Sequence, residues 1–326
     1  MIVPAFQAGR DLDRNLPEVV RALGDGELIV VDDGSSDDTA SVASRHGARV
    51  LTQPNRGPAA ARNLGAGHAR GDILVFLDAD CRPAPGWLPA LVAPLREGAF
   101  DAVKGAYLTE QASAVARLCQ IEFEERYGLL SARPATDFVD SFSMAVRRSV
   151  FVEVGGFDET FRVADNEDVD LSYRLASRGH RIAFAPRAAV YHRHPDTLGK
   201  YLRLKVSRGF HRMRVYERYP GKALADSYTP FSLKLQVGAA LAAPACAVLA
   251  ASALLTGAEP KAILAASLVV MMAPLLSTLP FLARAARTEP RLLVHAPVFL
   301  VARAGAIALG VARRALRLPP TSPKVV

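Results

Sequence analysis

Two short acidic stretches carry the residues best suited to chemistry. Asp78-Ala79-Asp80 follows the apolar run 72–77, and Asp32-Asp33-Gly34-Ser35 follows the short β-branched run 28–31. Side chains two apart on an extended chain project the same way, so Asp78 and Asp80 can address one ligand. Hard carboxylate oxygens in that arrangement suit Mg2+ or Mn2+, which in turn bind phosphate oxygens. Asp32 and Asp33 suit a different task, accepting hydrogen bonds from a base N–H or from ribose hydroxyls. Taken singly, an Asp-x-Asp triplet is an ordinary solvated strand end and Asp-Gly an ordinary turn. Their shared placement, straight after buried strands, sets them apart.

Three further stretches are candidates. In 56–63, Arg-Gly-Pro-Ala-Ala-Ala-Arg-Asn opens a helix with small residues that permit close approach, and Arg62 or Asn63 can reach a phosphate. The run 165–171, Asp-Asn-Glu-Asp-Val-Asp-Leu, opens a helix that Gly179 ends. Glu167 and Asp168 fall in its first turn, where the helix dipole favours the ionised form and suits a general base for an alcohol. Acidic first turns are also ordinary helix starts. After a strand expected at 181–185 comes Tyr191-His192-Arg193-His194-Pro195, in which either histidine can be a third metal ligand or a polar loop residue. The basic set Arg203, Lys205, Arg208, Arg212 and Arg214 suits either anionic lipid headgroups or a diphosphate.

The elements that must position these residues alternate. A first strand ends at Pro4-Ala5-Phe6, and a helix over about 12–23 is closed by Gly24 and Gly26. There follow strands at 28–31, 49–52 and 72–77, separated by helices at 38–46 and from Pro58 onward. Such alternation predicts a mostly parallel α/β sheet covered on both faces, with ligands beyond the carboxyl ends of the strands. Three successive strand ends then converge on one edge. The single Gly-x-Gly nearby, Gly24-Asp25-Gly26, precedes its strand, which excludes a dinucleotide fingerprint, and there is no P-loop.

Charge divides the chain. Of 40 Lys+Arg and 32 Asp+Glu, residues 1–230 hold thirty of each, and the whole excess of +8 lies in 231–326. That removes nucleic acid as the partner, because the front part is neutral. The tail contains uncharged runs at 235–258 and 262–283, each longer than the roughly 20 residues that cross a bilayer as a helix. A third stretch, 292–312, contains His295 and Arg303 and runs into Arg313, Arg314 and Arg317. It is expected to span or to lie at the interface, with the interface preferred, giving helices at about 235–256, 262–283 and 292–316. The connection 284–291 carries three Arg and one Glu, which predicts a cytoplasmic side for it and for the front domain at a bacterial-type inner membrane. Met1 precedes only the short apolar run 2–6, and no signal peptide is expected. Cys81, Cys119 and Cys246 have no metal or redox spacing, which fits a reducing compartment. The expected domains are thus 1–230, cytoplasmic, and 231–326, membrane-embedded.

The order of these motifs resembles family 2 of the inverting glycosyltransferases, with the GT-A fold, over about residues 1–215. The resemblance rests on Ile2-Val3-Pro4-Ala5-Phe6, Val30-Val31-Asp32-Asp33-Gly34-Ser35, Asn55-Arg56-Gly57 with Ala61-Arg62-Asn63, Phe76-Leu77-Asp78-Ala79-Asp80, Gly155-Gly156-Phe157-Asp158-Glu159, and Glu167-Asp168-Val169-Asp170-Leu171. It implies a nucleotide-sugar donor (a UDP-, GDP- or dTDP-sugar) and a divalent metal, Mg2+ or Mn2+. It also implies that Pro4, Ala5 and Phe6 border the base, and that Asp33 binds base or ribose with Asp32 supporting it. Asp78 would contact ribose or metal, Asp80 would ligate the metal, and Asp168 would be the base that deprotonates the acceptor hydroxyl. Ser141-Phe142-Ser143 stands where many relatives carry Gly-Asn, and Arg208-Gly209-Phe210-His211-Arg212 is not the Gln-x-x-Arg-Trp of processive members, so single transfer is expected. With spans directly downstream, the acceptor is expected to be lipid-linked or a cell-envelope glycan. The competing expectation is an inactive nucleotide-sugar-binding scaffold subunit, in which Asp168 would be dispensable.

Overall fold

The computed structural model describes residues 1–163, 166–256, 272 and 274–320. Its contacts divide the chain into two compact units, one of residues 1–110, 127–193 and 219–228, the other of 111–126, 194–218 and 229–326. Residues 111–126 and 194–218 therefore group with the C-terminal helices, whereas a single boundary near 230 was expected from composition.

The first unit is built on eight strands, β1 (Ile2–Ala5), β2 (Ile29–Asp32), β3 (Arg49–Thr52), β4 (Ile73–Leu77), β5 (Arg82–Pro83), β6 (Ala102–Leu108), β7 (Ser143–Arg147) and β8 (Ile182–Tyr191), in the order β3-β2-β1-β4-β7-β6-β8-β5. The stretch β3-β2-β1-β4 is parallel, as is β6-β8; β7 runs antiparallel between β4 and β6, and β5 antiparallel to β8. Helices α1 (Gly9–Leu23), α2 (Thr39–Arg45), α3 (Pro58–His68), α4 (Trp87–Arg96), α6 (Arg148–Glu153) and α7 (Glu167–Ser177) connect them, and of α5 (Ala114–Ser131) only residues 127–131 belong to this unit. The parallel strands read as unbroken apolar runs because both of their faces are covered, and every residue of β2 is buried. Ile2, Ile29, Val31, Leu74, Phe76 and Met144 join Phe151, Phe157, Leu171 and Leu175 in one core. Phe76 sits at its centre, tilted on Phe151 and edge-on to Phe157.

β8 is ten residues long and not the five expected at 181–185. Its register against β6 breaks once: Lys104 faces Phe184, but Ala106 faces Ala189. Gly105 stands at the break. A Cβ there would collide with the Ala188 carbonyl oxygen and the Ser143 hydroxyl. Beyond the bulge the two strands pair again, to Leu108 and Tyr191, so His192 leaves the sheet at its end with its N–H donating to the Leu108 carbonyl, 2.9 Å.

The second unit contains α8 (Leu198–Arg218), α10 (Phe231–Thr256), α11 (Leu279–Thr288) and α12 (Ala296–Ala315), the last preceded by a 3₁₀ turn at Pro290–Val294; the short α9 (Pro220–Leu224) falls mostly in the first unit. α8 and α12 cross with backbones in contact, since a Cβ on either Gly209 or Gly310 would strike the other helix's backbone. Two described helices are long and apolar enough to cross a membrane, Phe231–Ser252 and Ala296–Ala315. Of the expected helix at 262–283, residues 262–271 and 273 lie outside the described residues; 274–276 are helical, 277–278 form a turn, and 279–283 open α11. Arg303 on α12 is buried and donates to Gln236 of α10 at 2.8 Å.

Replacing Gly105 by valine should lower stability by about 1–3 kcal/mol, because the Ala188 carbonyl oxygen and the buried Ser143 side chain both oppose the added atoms. A denaturation midpoint equal to wild type would disprove the close approach.

Candidate active site

The carboxyl ends of the parallel strands gather the acids as the sequence led one to expect. Asp33 is buried and accepts from Gln53 Nε2 (2.6 Å), from the Arg56 N–H (2.8 Å) and from the Gly57 N–H (2.8 Å). Asp32, also buried, accepts from the Ser35 N–H at 3.0 Å. Two glycines make the loop possible. Gly34 has φ +81° with the Asn55 nitrogen 2.8 Å from where a Cβ would lie, and Gly57 has φ +91° with the Arg162 carbonyl oxygen 2.5 Å away. Phe6 is exposed beside this loop, while Gln7 bonds Ser35 and Ser36. Pro4 and Ala5 lie on β1 next to β2, with Ala5 paired to Asp32.

Arg62 is where the structure departs most from expectation. It lies buried, with one end of its guanidinium on Glu167 Oε1 (2.8 Å) and the other on Asp78 Oδ1 (2.7 Å). Both ends are thus held by protein carboxylates. Asn63 is likewise engaged within the protein. Its amide nitrogen donates to the Phe157 carbonyl (2.9 Å) and to Glu159 (3.1 Å), and its oxygen accepts the Phe157 N–H (2.9 Å). Asn63 therefore pins the Gly155-Gly156-Phe157 turn. It leaves no room for a Cβ at Gly156, whose φ is +65°.

One cation serving two carboxylates leaves a net negative charge at the bridge. Burial pushes the Glu167 carboxyl up to about 7 against the pull of Arg62, with Asp168 adding to the rise. Asp78 is raised as well, by desolvation against Arg62 and by its neighbour Asp80. Asp168, half-buried, is the second residue of α7, which Glu167 opens after Asn166 in a left-handed conformation (φ +71°), and its Oδ1 accepts the Val169 N–H at 2.8 Å. Ser172 fixes the helix by exchanging bonds with the Val139 N–H (2.9 Å) and carbonyl (3.0 Å).

Of the two histidines, His192 stands at Asp80, Nε2 to Oδ2 3.2 Å. His194 is buried in the second unit against Gln120 Oε1 at 3.0 Å. Adjacent ligands on an octahedral Mg2+, with bonds of 2.0–2.1 Å, are separated by about 3 Å. The Asp80–His192 pair therefore fits one edge of such an ion, with diphosphate oxygens and water for the remaining positions. Asp78 is turned to Arg62, and among the described residues no three His, Cys, Asp or Glu side chains converge as a metal centre. The expected three-residue set of Asp78, Asp80 and His192 is accordingly reduced to a pair plus a carboxylate engaged elsewhere.

Several contributors do not stand out in the sequence. Asn15 on α1, buried, donates to the Ala79 carbonyl at 2.9 Å and holds the middle of the Asp-Ala-Asp turn. Cys81 is buried, and burial together with Asp80 and Asp78 pushes its thiol well above the ordinary range, keeping it a donor to Asp80. Lys205, expected to face lipid or diphosphate, is buried on Glu122 at 2.7 Å, with Arg126 and the Tyr201 hydroxyl on the same carboxylate.

With this geometry established, known proteins can be compared. The profile Glycosyl transferase family 2 matches residues 1–155, and Glycosyltransferase like family 2 matches 107–221. The chain belongs to glycosyltransferase family 2. A pre-mycofactocin glycosyltransferase of Mycobacterium tuberculosis is 33% identical over 217 residues, 64% of this chain and 46% of that protein. An uncharacterized glycosyltransferase of the same species is 44% identical over 94 residues, 28% of this chain and 43% of that protein. The chain thus spans about half the length of the curated relatives it matches. Among solved structures, a mannosyltransferase from Pyrobaculum calidifontis in complex with GDP-Man and Mn2+ covers 97% of this chain and 86% of its own at 19% identity, with a TM-score of 0.59. That likeness establishes the GT-A fold of this family 2 chain.

The bridge has a measurable signature. A carboxyl raised on folding binds protons more tightly in the native state, so Glu167 adds stability at low pH and loses that contribution as pH rises from about 4.5 to about 7. The stability of wild type relative to Glu167→Gln should therefore fall across that window and level off above it. A flat difference would remove the raised carboxyl. Arg62→Met, leaving the buried Glu167 without its cation, should cost about 3–5 kcal/mol in a denaturant midpoint measurement.

Proposed function

We propose that this chain is an inverting, metal-dependent glycosyltransferase that moves a sugar from a nucleotide-sugar donor to an acceptor hydroxyl at a membrane surface. The observation that carries the reading is the Asp78–Arg62–Glu167 bridge. It ties the acidic turn after β4 to the start of α7, and so brings the Asp80–His192 pair and Asp168 into one arrangement. Such a layout can hold a diphosphate on one side and a proton acceptor on the other.

In this reading Pro4, Ala5 and Phe6 border the base, and the loop gathered by Asp33 closes on base and ribose. Asp80 and His192 are the residues that would hold Mg2+ or Mn2+, with Asp78 kept beside them by Arg62. The cation, when bound, offsets the charge that develops on the departing nucleoside diphosphate. Asp168 takes the proton from the acceptor hydroxyl as that oxygen attacks the anomeric carbon. The bond to the nucleoside diphosphate breaks on the opposite face, and the configuration inverts. Glu167 keeps Arg62 in place behind Asp78. The Pyrobaculum calidifontis mannosyltransferase that shares this fold was solved with GDP-Man and Mn2+, which supports a donor and cation of these classes.

The acceptor is read as lipid-linked or as a cell-envelope glycan. Support comes from α10, an apolar helix almost wholly exposed over Phe231–Ser252, and from the exposed side chains of Val298, Val301 and Leu309 on α12. Hydrocarbon is the environment that suits them. The Arg-rich connection 284–291 would then lie against the cytoplasmic leaflet of a bacterial-type inner membrane.

Membranes or detergent-solubilised protein, offered a panel of UDP-, GDP- and dTDP-sugars with Mg2+ or Mn2+ and lipid extract, should release nucleoside diphosphate from one donor. EDTA should stop the release, and added cation should restore it. Asp168→Asn should lower the rate by roughly 10²–10⁴ without unfolding the protein, and Asp80→Ala should abolish it. Full activity in Asp168→Asn would remove the base assignment, and turnover of no donor would leave a binding subunit as the better description.

A further inference from the structure

A line of rings runs through the first unit and ends at His192. Tyr107 on β6 lies under the His192 ring with centroids 4.4 Å apart. The other face of this pairing continues to Phe142, stacked on Tyr107 at 3.4 Å and 13°. Phe142 in turn has the Lys104 ammonium over it at 4.9 Å, and Lys104 is ion-paired with Asp140. Lys104, Tyr107 and Phe142 are all buried, so none of them is available to touch a donor or an acceptor directly. His192, at the end of the line, stands at Asp80 with Nε2 3.2 Å from Oδ2.

The backbone explains why the line is straight. The bulge at Gly105 lets β6 and β8 pair a second time, so that the His192 N–H is bonded to the Leu108 carbonyl while its ring lies on Tyr107. The Tyr127 hydroxyl accepts the Tyr107 N–H at 2.7 Å and fixes the strand at that point. His192 is therefore held by its main chain from one side and by an aromatic face from another, leaving Nε2 directed at Asp80. An imidazole that is to share an ion with a carboxylate gains from losing its rotational freedom beforehand, and outer groups that orient a ligand typically matter 10–100-fold in metal affinity.

We propose that Tyr107, backed by Phe142, is a positioning residue that presets His192 as the second protein ligand of the divalent cation. This rests on the cation site read above at Asp80 and His192. It adds a role for two residues that touch neither metal nor substrate.

The test is a titration of Mn2+ into the full chain with saturating UDP or GDP, free Mn2+ being followed by electron paramagnetic resonance. Tyr107→Leu should weaken protein-dependent Mn2+ binding on the order of 10- to 100-fold, as should His192→Ala. Tyr107→Phe, which keeps the ring, should bind as wild type does. In the double variant Tyr107→Leu with His192→Ala, the two losses should not add, because the tyrosine acts only through the histidine. Thermal unfolding reports whether Tyr107→Leu folds; if it does not, Phe142→Leu replaces it in the same cycle. Additive losses, or an unchanged affinity in the folded ring-deleting variant, overturn the proposal. If His192→Ala binds Mn2+ normally while Asp80→Ala does not, the positioning role falls and the cation site at Asp80 stands. Should Asp80→Ala also bind normally, the cation site itself is lost.

Discussion

A single buried guanidinium shared by two carboxylates is the constraint on which the rest of this site depends. Arg62 comes from α3, Asp78 from the end of β4 and Glu167 from the first turn of α7. Three segments distant in sequence are thereby fixed to one planar group whose donors demand a set geometry. A lysine could not serve both oxygens from a rigid fork. Burying this trio costs desolvation that one cation does not fully offset, and the raised Glu167 shows where the shortfall is felt. The site thus carries an unspent negative charge beside Asp80, a setting ready for an added cation.

Much of the first unit was legible because buried parallel strands leave a plain record. The apolar runs at 28–31 and 72–77 became β2 and β4 with shifts of a residue, since a strand covered on both faces tolerates little else, while the edge strand β3 falls at the expected 49–52 with its two end residues exposed. β8 was less legible. Pro186 and Arg187 interrupt its apolar pattern, and only the pairing with β6 across the Gly105 bulge carries the strand on to Tyr191. Pairing is a long-range property, and no local window of sequence contains it.

The site shows the same division. Acids at strand ends could be recognised from their placement, and Asp32, Asp33, Asp78 and Asp80 lie there. Partner choice could not be recognised. Arg62 and Asn63 were read as free to meet phosphate because a sequence displays a side chain's chemistry and not what already occupies it. The two histidines at 192 and 194 look equivalent in sequence, yet past the end of β8 at Tyr191 one meets Asp80 and the other Gln120. Tyr107 and Asn15 gave no local signal at all, since both act through contacts made across the fold.

Composition also conceals a distinction in the second unit. α10 and α12 are both long and apolar, but they are not alike. α12 is partly covered, crosses α8 at Gly209 and Gly310 with no space for side chains, and buries Arg303 against Gln236. Its uncovered residues Val298, Val301 and Leu309 recur at helical spacing along one side, followed by Arg313, Arg314 and Arg317. α8, its partner, is itself rich in Arg and Lys. A helix packed so closely on a charged neighbour has one face for protein and one apolar face for whatever lies outside. α10, among the described residues, buries only Leu233 and Gln236 and is otherwise the more exposed of the two, so length and composition that look alike in sequence correspond to different degrees of packing.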